Sequence, residues 1–398
     1  VRLRVLLIKA LSRYNVLRTF TDEVERALKA RGIETVIADV AKTATEADDL
    51  ALLSSAGPVD FGFTFLIYGN YADAAKRSIG EIIGGPMVIQ HVDYPLSHRG
   101  TLVGTAASSA VLTVDPSHGD AVRQVFGAGR FAHVGFNPHA AVGEPHPPAS
   151  SPAAFAAERP ISILFSGSWY APGLRPWKDT PEFVCKLFDD AVDLALSLEF
   201  IPALDALDTV LRAAGGDPAD PQFLVVRMYA DLVHEWVRAT RRRAFFETAA
   251  KVGLPLTVCG EGYEQAGIDL SSFDCRGSVD IETNIALMRQ SKVVANINAN
   301  FGRGSHERPF TAMLAGAVAA SDFSTYYADV FAPGREIVLY RWTDLEEDLA
   351  ALRDLIDDPA RLHAIAEAGH ANTCANHRWA NRIDTILAAA DLCRKAWK

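Results

Sequence analysis

The 398-residue chain has only five cysteines, Cys185, Cys259, Cys275, Cys374 and Cys393, far apart and without a C-x-x-C pair. Such spacing suggests neither a zinc site nor a disulfide framework, and it fits a reducing, cytoplasmic setting. Basic runs are also scarce. Apart from "RRR" at 241–243 no block of Lys or Arg stands out, and 39 basic residues against 49 acidic ones leave a net charge of -10. Nucleic acid is therefore not expected as a partner. No apolar run approaches the roughly 20 residues that cross a bilayer, and the first residues lack the form of a signal peptide. Work on a membrane-borne substrate would be done from the surface, as a peripheral contact at the inner membrane face. Absent too are G-x-G-x-x-G and G-x-x-x-x-G-K-[ST], so neither a dinucleotide fingerprint nor a P-loop is claimed.

What the chain does have is apolar mass. With 49% hydrophobic and 22% charged residues it can bury a large core, and its length suits two domains of roughly 150 residues each with some to spare. Over residues 1–140, short β-branched runs ("LRVLLIKA", "ETVIADV", "FGFTFLIY", "PMVIQHVDY", "AVLTVDP") alternate with helical stretches at 17–31, 43–55, 71–83, 97–108 and 117–127. Apolar runs without alternation, separated by helices, mark parallel strands buried on both faces. Residues 141–158, rich in Pro, Ala and Ser, read as a linker. The alternation resumes at 159–380 with "ISILFSGSW", "PLTVCGEGY", "KVVANINAN", "AVAASD" and "EIVLYRW". The stretch at about 178–252 exceeds an ordinary βα crossover and reads as a helical insertion. The end of the chain predicts helices at 344–357 and 360–396, the second broken near 372–376, with 381–398 returning to the first domain. The fold class expected is α/β: two Rossmann-like doubly wound domains facing across a cleft, the second carrying the insertion.

In such sheets ligands bind beyond the carboxyl ends of the strands, which fixes where to look. "FSGSW" brings Gly167 and Ser168 to a strand end, where backbone N–H groups and a hydroxyl suit a phosphate; a plain strand-to-helix turn explains the same residues. "CGEGY" offers Glu261 to a ribose or a base, again against a simple Gly turn. After "KVVANINAN", His306, Glu307 and Arg308 open a helix. Its N-terminus favours an anion, Arg308 adds paired donors suited to phosphate, and Glu307 suits a sugar hydroxyl. A Glu that merely offsets the helix dipole, beside a solvated Arg, is the competing reading. In "IQHVDYPLSHRG", His91 and Asp93 alternate along extended backbone and point the same way, with His98 close behind; a His beside an Asp suits a general base. Mutual hydrogen bonding alone would also account for that pair. His139 is a weaker candidate, Arg175 and Lys178 are possible diphosphate contacts or plain surface charge, and His118, His363, His370 and His377, placed on helix surfaces or ends, receive no role.

"HERPFTAMLAGAVAASD", "YYADVFAPGREIVLYRWTDLEEDLAALRDLIDDPARLHAIAEAG" and "HANTCANHRWANRIDTIL" together resemble the C-terminal domain of GT-B glycosyltransferases, particularly the bacterial CgeB-type, spore-maturation-like group. The resemblance is clearest over 292–386, about a quarter of the chain. It implies transfer of a sugar from a nucleoside-diphosphate sugar, a UDP-sugar foremost, to a hydroxyl of a glycan, lipid-linked or protein acceptor. It places the donor nucleotide against the helix of His306, Glu307, Arg308 and Thr311, and the acceptor against the loop of His91 and Asp93. Many retaining members carry Glu at the positions of Thr311 and Arg303; here either Glu307 takes over the ribose contact or the donor is held differently. No D-x-D pair follows a strand, so no metal and no cofactor beyond the donor is expected. A nucleotide-sugar epimerase of the same architecture and a non-catalytic two-domain binding module are the alternatives.

Overall fold

The computed structural model describes residues 3–66, 77–169, 175–264, 267–298 and 300–397. The chain divides into two compact units. One runs to Val142 and resumes at Arg378; the other is Gly143–His377.

The first unit is a six-stranded parallel sheet in the order β2-β1-β3-β4-β5-β6, from β1 (Arg4–Lys9), β2 (Glu34–Asp39), β3 (Phe61–Phe65), β4 (Met87–His91), β5 (Ala110–Thr113) and β6 (His133–Phe136). Strands β3, β4 and β5 are buried along their whole length, which is why their sequences do not alternate. Sequence periodicity did not reveal β6, "HVGF", a four-residue edge strand with a glycine and a histidine in it. The expected helix at 71–83 lies partly outside the described residues; the described part holds helix Ile79–Ile83. Helix Ile383–Ala396 completes this unit, burying Ile383, Ile386, Ala389, Ala390 and Cys393 against β4, β5 and β6. Trp379, just before it, packs its ring on Phe20 and Phe65 at 5.4 and 5.1 Å between centroids.

The second unit is a parallel sheet in the order β12-β11-β10-β7-β8-β9, from β7 (Ile161–Ser166), β8 (Leu256–Cys259), β9 (Asp274–Cys275), β10 (Ser291–Asn296), β11 (Val318–Asp322) and β12 (Val338–Tyr340). The two-residue β9 was too short to be read from periodicity. From β7 the chain winds outward through β8 and β9, then crosses back to start again at β10, so the winding reverses between β7 and β10. That is the doubly wound Rossmann order, with its topological switch at this junction. Residues 152–158, part of the expected linker, form helix Pro152–Glu158 instead. Ser151 caps it, accepting from the Ala154 amide at 3.2 Å; Pro152 occupies its first position; and Phe155 is 0% exposed in the core of this unit. A cap and one anchored aromatic thus outweigh a composition typical of linkers. Burying a side chain of that size contributes roughly 1.5–3 kcal/mol.

Between β7 and β8 lie helices Glu182–Ser197, Ala203–Ala213, Leu224–Met228 and the long Ala230–Val252. A buried, two-point ion pair, Arg227 to Asp208 at 2.7 and 2.8 Å, joins the second and third of these. Arg241 fastens the end of the first to the long helix, donating to the carbonyls of Leu198 and Glu199 at 2.8 and 2.9 Å.

Candidate functional site

At the carboxyl edge of the second sheet, β7 and β8 are joined beyond their last residues. The Gly167 amide donates to the Cys259 carbonyl at 2.8 Å, the Trp169 amide to the Glu261 carbonyl at 2.7 Å, and the Glu261 amide to the Ser168 hydroxyl at 3.4 Å. A Cβ on Gly262 would lie 2.6 Å from the Trp169 carbonyl, and one on Gly260 would collide with the Gly167 carbonyl, so glycine is required where the two loops touch. This corrects the reading of Gly167: its amide is spent on the β8 loop and is not offered to a phosphate. Ser168 is likewise buried, its hydroxyl oxygen accepting from the Glu261 amide. The Glu261 side chain is exposed and accepts from the Ser278 hydroxyl at 3.2 Å.

Beyond β10 the backbone makes a compact turn held from several sides. The Asn298 amide donates to Asp322 at the end of β11, Asn298 Nδ2 donates to the Phe301 carbonyl at 2.8 Å, and the Ser324 hydroxyl donates to the Gly304 carbonyl at 2.6 Å. The Tyr327 hydroxyl accepts from the His306 amide at 2.8 Å and donates to Asn298 Oδ1 at 3.1 Å. These bonds set the start of helix Glu307–Leu314, where His306 Nδ1 meets either the Glu307 carboxylate, when it carries the ring proton, or the Arg308 amide at 3.4 Å, when it does not. Arg308 is half-buried, its Nη1 donating to Asn296 Oδ1 at 2.6 Å, which aims it along the end of β10. Burial raises the Asp322 carboxyl to about 6, against the hydrogen bond it accepts from Asn298 and the charge of Arg241. His306, Glu307 and Arg308 are therefore brought together at the strand end. Thr311 is not: at 1% exposure it faces the core, because the helix face one turn beyond Glu307 is the one that packs on the sheet.

Sequence reasoning missed the arginines on helix Ala230–Val252. Only the run "RRR" was visible, and its three members do different work. Arg241 is a tether, and Arg243 is half-buried with its guanidinium 5.9 Å from the Trp169 ring. Arg242 is buried, and its Nη1 donates to the Ser168 carbonyl. Arg238, one turn earlier, lies on the same helix face. The i, i+4 spacing of Arg238 and Arg242 was the signal available. Tyr263 closes this corner by donating its hydroxyl to the Gly167 carbonyl. Arg175 is engaged elsewhere, with Asp189 at 2.8 Å, and Lys178 is exposed.

In the first unit His91 ends β4 at 0% exposure, with no hydrogen-bond partner for either ring nitrogen among the described residues. Burial, helped by repulsion from His98, lowers its pKa to about 3, so the ring is neutral. The expected His91–Asp93 pair is not formed. Asp93 is exposed and pairs with His98 at 3.7 Å, while the His98 ring stands 5.9 Å from that of His91. Alternation ends with the strand at His91, and the turn that follows carries Asp93 to the surface. His139 is buried at 2% against Phe20. His118, His363 and His377, expected on helix surfaces or ends, are also buried, packed on Tyr94, Phe155 and Phe310.

A separate cavity of about 320 Å³, lined by Ser162, Thr257, Asp274 and Arg276 among others, opens at the amino ends of β7 and β8, away from this cluster. Among the described residues no group of three His, Cys, Asp or Glu is placed to hold a metal ion, and no helix is long and apolar enough to cross a membrane.

Residues 241–388 match a family model described as "Glycosyl transferase-like". No curated protein matches the chain by sequence. Among solved structures, the chain is similar to an alpha-glucosyltransferase in complex with UDP and a DNA, with TM-score 0.57 and 9% identity, covering 98% of this chain and 100% of that one. It is similar to a sucrose-phosphate synthase from Thermosynechococcus elongatus, with TM-score 0.54, 10% identity and coverage of 97% and 98%. It is also similar to T4 phage BGT in complex with its UDP-glucose substrate, with TM-score 0.51, 10% identity and coverage of 98% and 99%. At such identities the likeness is one of fold. The chain has the GT-B fold of two Rossmann-like domains, and the match to the glycosyltransferase-like model lies within its second half.

Proposed function

We propose that the protein is a glycosyltransferase that moves a sugar from a nucleoside-diphosphate sugar to an acceptor hydroxyl, with a UDP-sugar as donor. The carrying observation is the strand end after β10, where Asn296 aims Arg308 and a helix N-terminus opens with Glu307, inside the segment that matches the glycosyltransferase model. Two of the similar structures hold UDP or UDP-glucose, which supports the choice of donor. The CgeB-type group is the branch that the sequence motifs favour.

In this reading the bond from the anomeric carbon to the diphosphate oxygen breaks as negative charge builds on the leaving diphosphate. Arg308 and the helix N-terminus meet that charge with donors already oriented, which is electrostatic stabilisation without reorganisation. Guanidinium groups supply the positive charge, so transfer is expected without a divalent cation. Glu307, oriented by His306, accepts hydrogen bonds from ribose or sugar hydroxyls, and Glu261 is a second acceptor for the nucleoside. On the acceptor side His98, held by Asp93, replaces His91 as the proposed general base, because a base has to reach solvent and substrate. The acceptor is proposed to be a glycan, lipid-linked or protein hydroxyl; the net charge of -10 opposes a nucleic-acid acceptor.

The test is calorimetry and thermal shift of the wild type and Arg308→Ala against UDP, GDP, ADP, CMP and dTDP, with and without magnesium. UDP at 100 times its dissociation constant should add about 2.7 kcal/mol of stability to the wild type without metal. Arg308→Ala should bind it about 10- to 100-fold more weakly. A wild type that responds to no nucleotide sinks the proposal.

A further inference from the structure

Arg242 has a chemical environment that the tertiary structure leaves unfinished. It is 7% exposed, one nitrogen donates to the Ser168 carbonyl, and its Nε has no hydrogen-bond partner among the described residues. No carboxylate among those residues forms an ion pair with it. A guanidinium has five N–H donors and a charge that protein burial makes costly unless an anion accompanies it. Its surroundings add to that cost: burial lowers the pKa to about 10, and Arg238 is the strongest of the charges around it, repelling it, with smaller contributions of mixed sign from Tyr263, Arg308 and Glu235. The group nevertheless stays charged at neutral pH.

Its position is equally specific. Arg242 touches the backbone just beyond β7, and Arg308 is fastened to Asn296, the last residue of β10. Strands β7 and β10 are neighbours, with Phe165 opposite Ala295, and the winding of the sheet reverses between them. Two cations from two different elements thus flank the one junction of this sheet where a doubly wound fold takes its ligand. Two planar forks, with Arg238 beside them, match an anion whose oxygens are spread over more than one phosphate.

We propose that Arg242 binds the diphosphate of the donor, forming with Arg308 a clamp across the β7–β10 junction, and that the long helix closing the insertion is thereby part of the donor site. This rests on the donor reading above. It goes beyond it by giving helix Ala230–Val252 a ligand-binding role and by assigning one of the two buried members of "RRR" to the ligand.

The experiment compares wild type, Arg242→Met and Arg242→Lys by calorimetry with UDP and with inorganic pyrophosphate, and by melting temperature without ligand. Arg242→Met should lose about 10- to 100-fold in affinity for both anions. Its unliganded melting temperature should be unchanged or higher, because an unaccompanied buried charge has been replaced by an apolar chain of similar length. Arg242→Lys should recover part of the affinity. If Arg242→Met keeps wild-type affinity for UDP, or melts lower with UDP binding intact, Arg242 is only a tie between the helix and Ser168 and the proposal is overturned. If the wild type ignores nucleotides but binds pyrophosphate through Arg242, the anion site stands and the donor reading fails. A wild type that binds neither overturns both.

Discussion

His91 in the first unit and Arg242 in the second are both buried at strand ends with ring or guanidinium nitrogens left unmatched, and burial acts on them in opposite ways. The imidazole sheds its proton, its pKa falling to about 3, and sits neutral beside β4. The guanidinium falls only to about 10 and keeps its charge. Location separates them as well. His91 ends β4, away from the point between β1 and β3 where the first sheet reverses its winding, whereas Arg242 abuts the reversal in the second sheet. An orphaned group that can neutralise itself implies no ligand; one that cannot calls for a counter-charge.

That contrast can be broken or sharpened by titration. The largest effect is expected at His91. The unfolded chain takes up a proton on this residue below about pH 6.5, while the folded protein does so only near 3, so stability falls as the pH drops through that window. Relative to His91→Phe, the wild type should lose about 1.4 kcal/mol per pH unit, or about 3 kcal/mol by pH 4, in urea unfolding followed by circular dichroism. Parallel pH profiles for the two proteins would mean that His91 has a partner or a route to water. Asp322 should show the reverse slope. Its folded pKa, about 6, stands above the ordinary carboxyl value, so the folded state binds the extra proton and stability declines as the pH rises from about 4 to 7. The gap in unfolding free energy between wild type and Asp322→Asn should change by about 3 kcal/mol over that range, and a flat gap would contradict the burial argument. The smallest effect belongs to Arg238, half-buried and already paired with Glu235 at 3.3 Å. Arg238→Gln should weaken UDP binding only about 2- to 5-fold by calorimetry, in line with a solvent-screened charge; a loss as large as that of Arg242→Met would erase the distinction between buried and screened cations.

Ten of the twelve strands among the described residues were legible in the sequence: the inner strands because burial on both faces leaves unbroken apolar runs, and the edge strands β2 and β12 because their runs are rich in β-branched or aromatic residues. The edge strands β6 and β9 were not, being short and polar or glycine-bearing. At the candidate site the cluster His306, Glu307 and Arg308 could be read because it is contiguous and opens a helix. Arg242 could not, since it reaches the site from a helix on the far side of the insertion, and burial of an arginine leaves no mark on composition. The roles read for Gly167 and His91 failed for one reason: a sequence shows that an amide or a ring stands at a strand end, but not whether a neighbouring loop has already claimed it or the core has covered it.

The first unit is built from two stretches of chain that the whole second unit separates. During synthesis at about 5–20 residues per second, roughly 10 to 50 seconds pass between emergence of the last strand of the first sheet and arrival of Trp379. Throughout that interval Phe20 and Phe65 wait for their aromatic partner, and the face of β4, β5 and β6 waits for helix Ile383–Ala396. The contiguous Gly143–His377 unit has all its parts first. The half of the protein that is made first is therefore the half that finishes folding last.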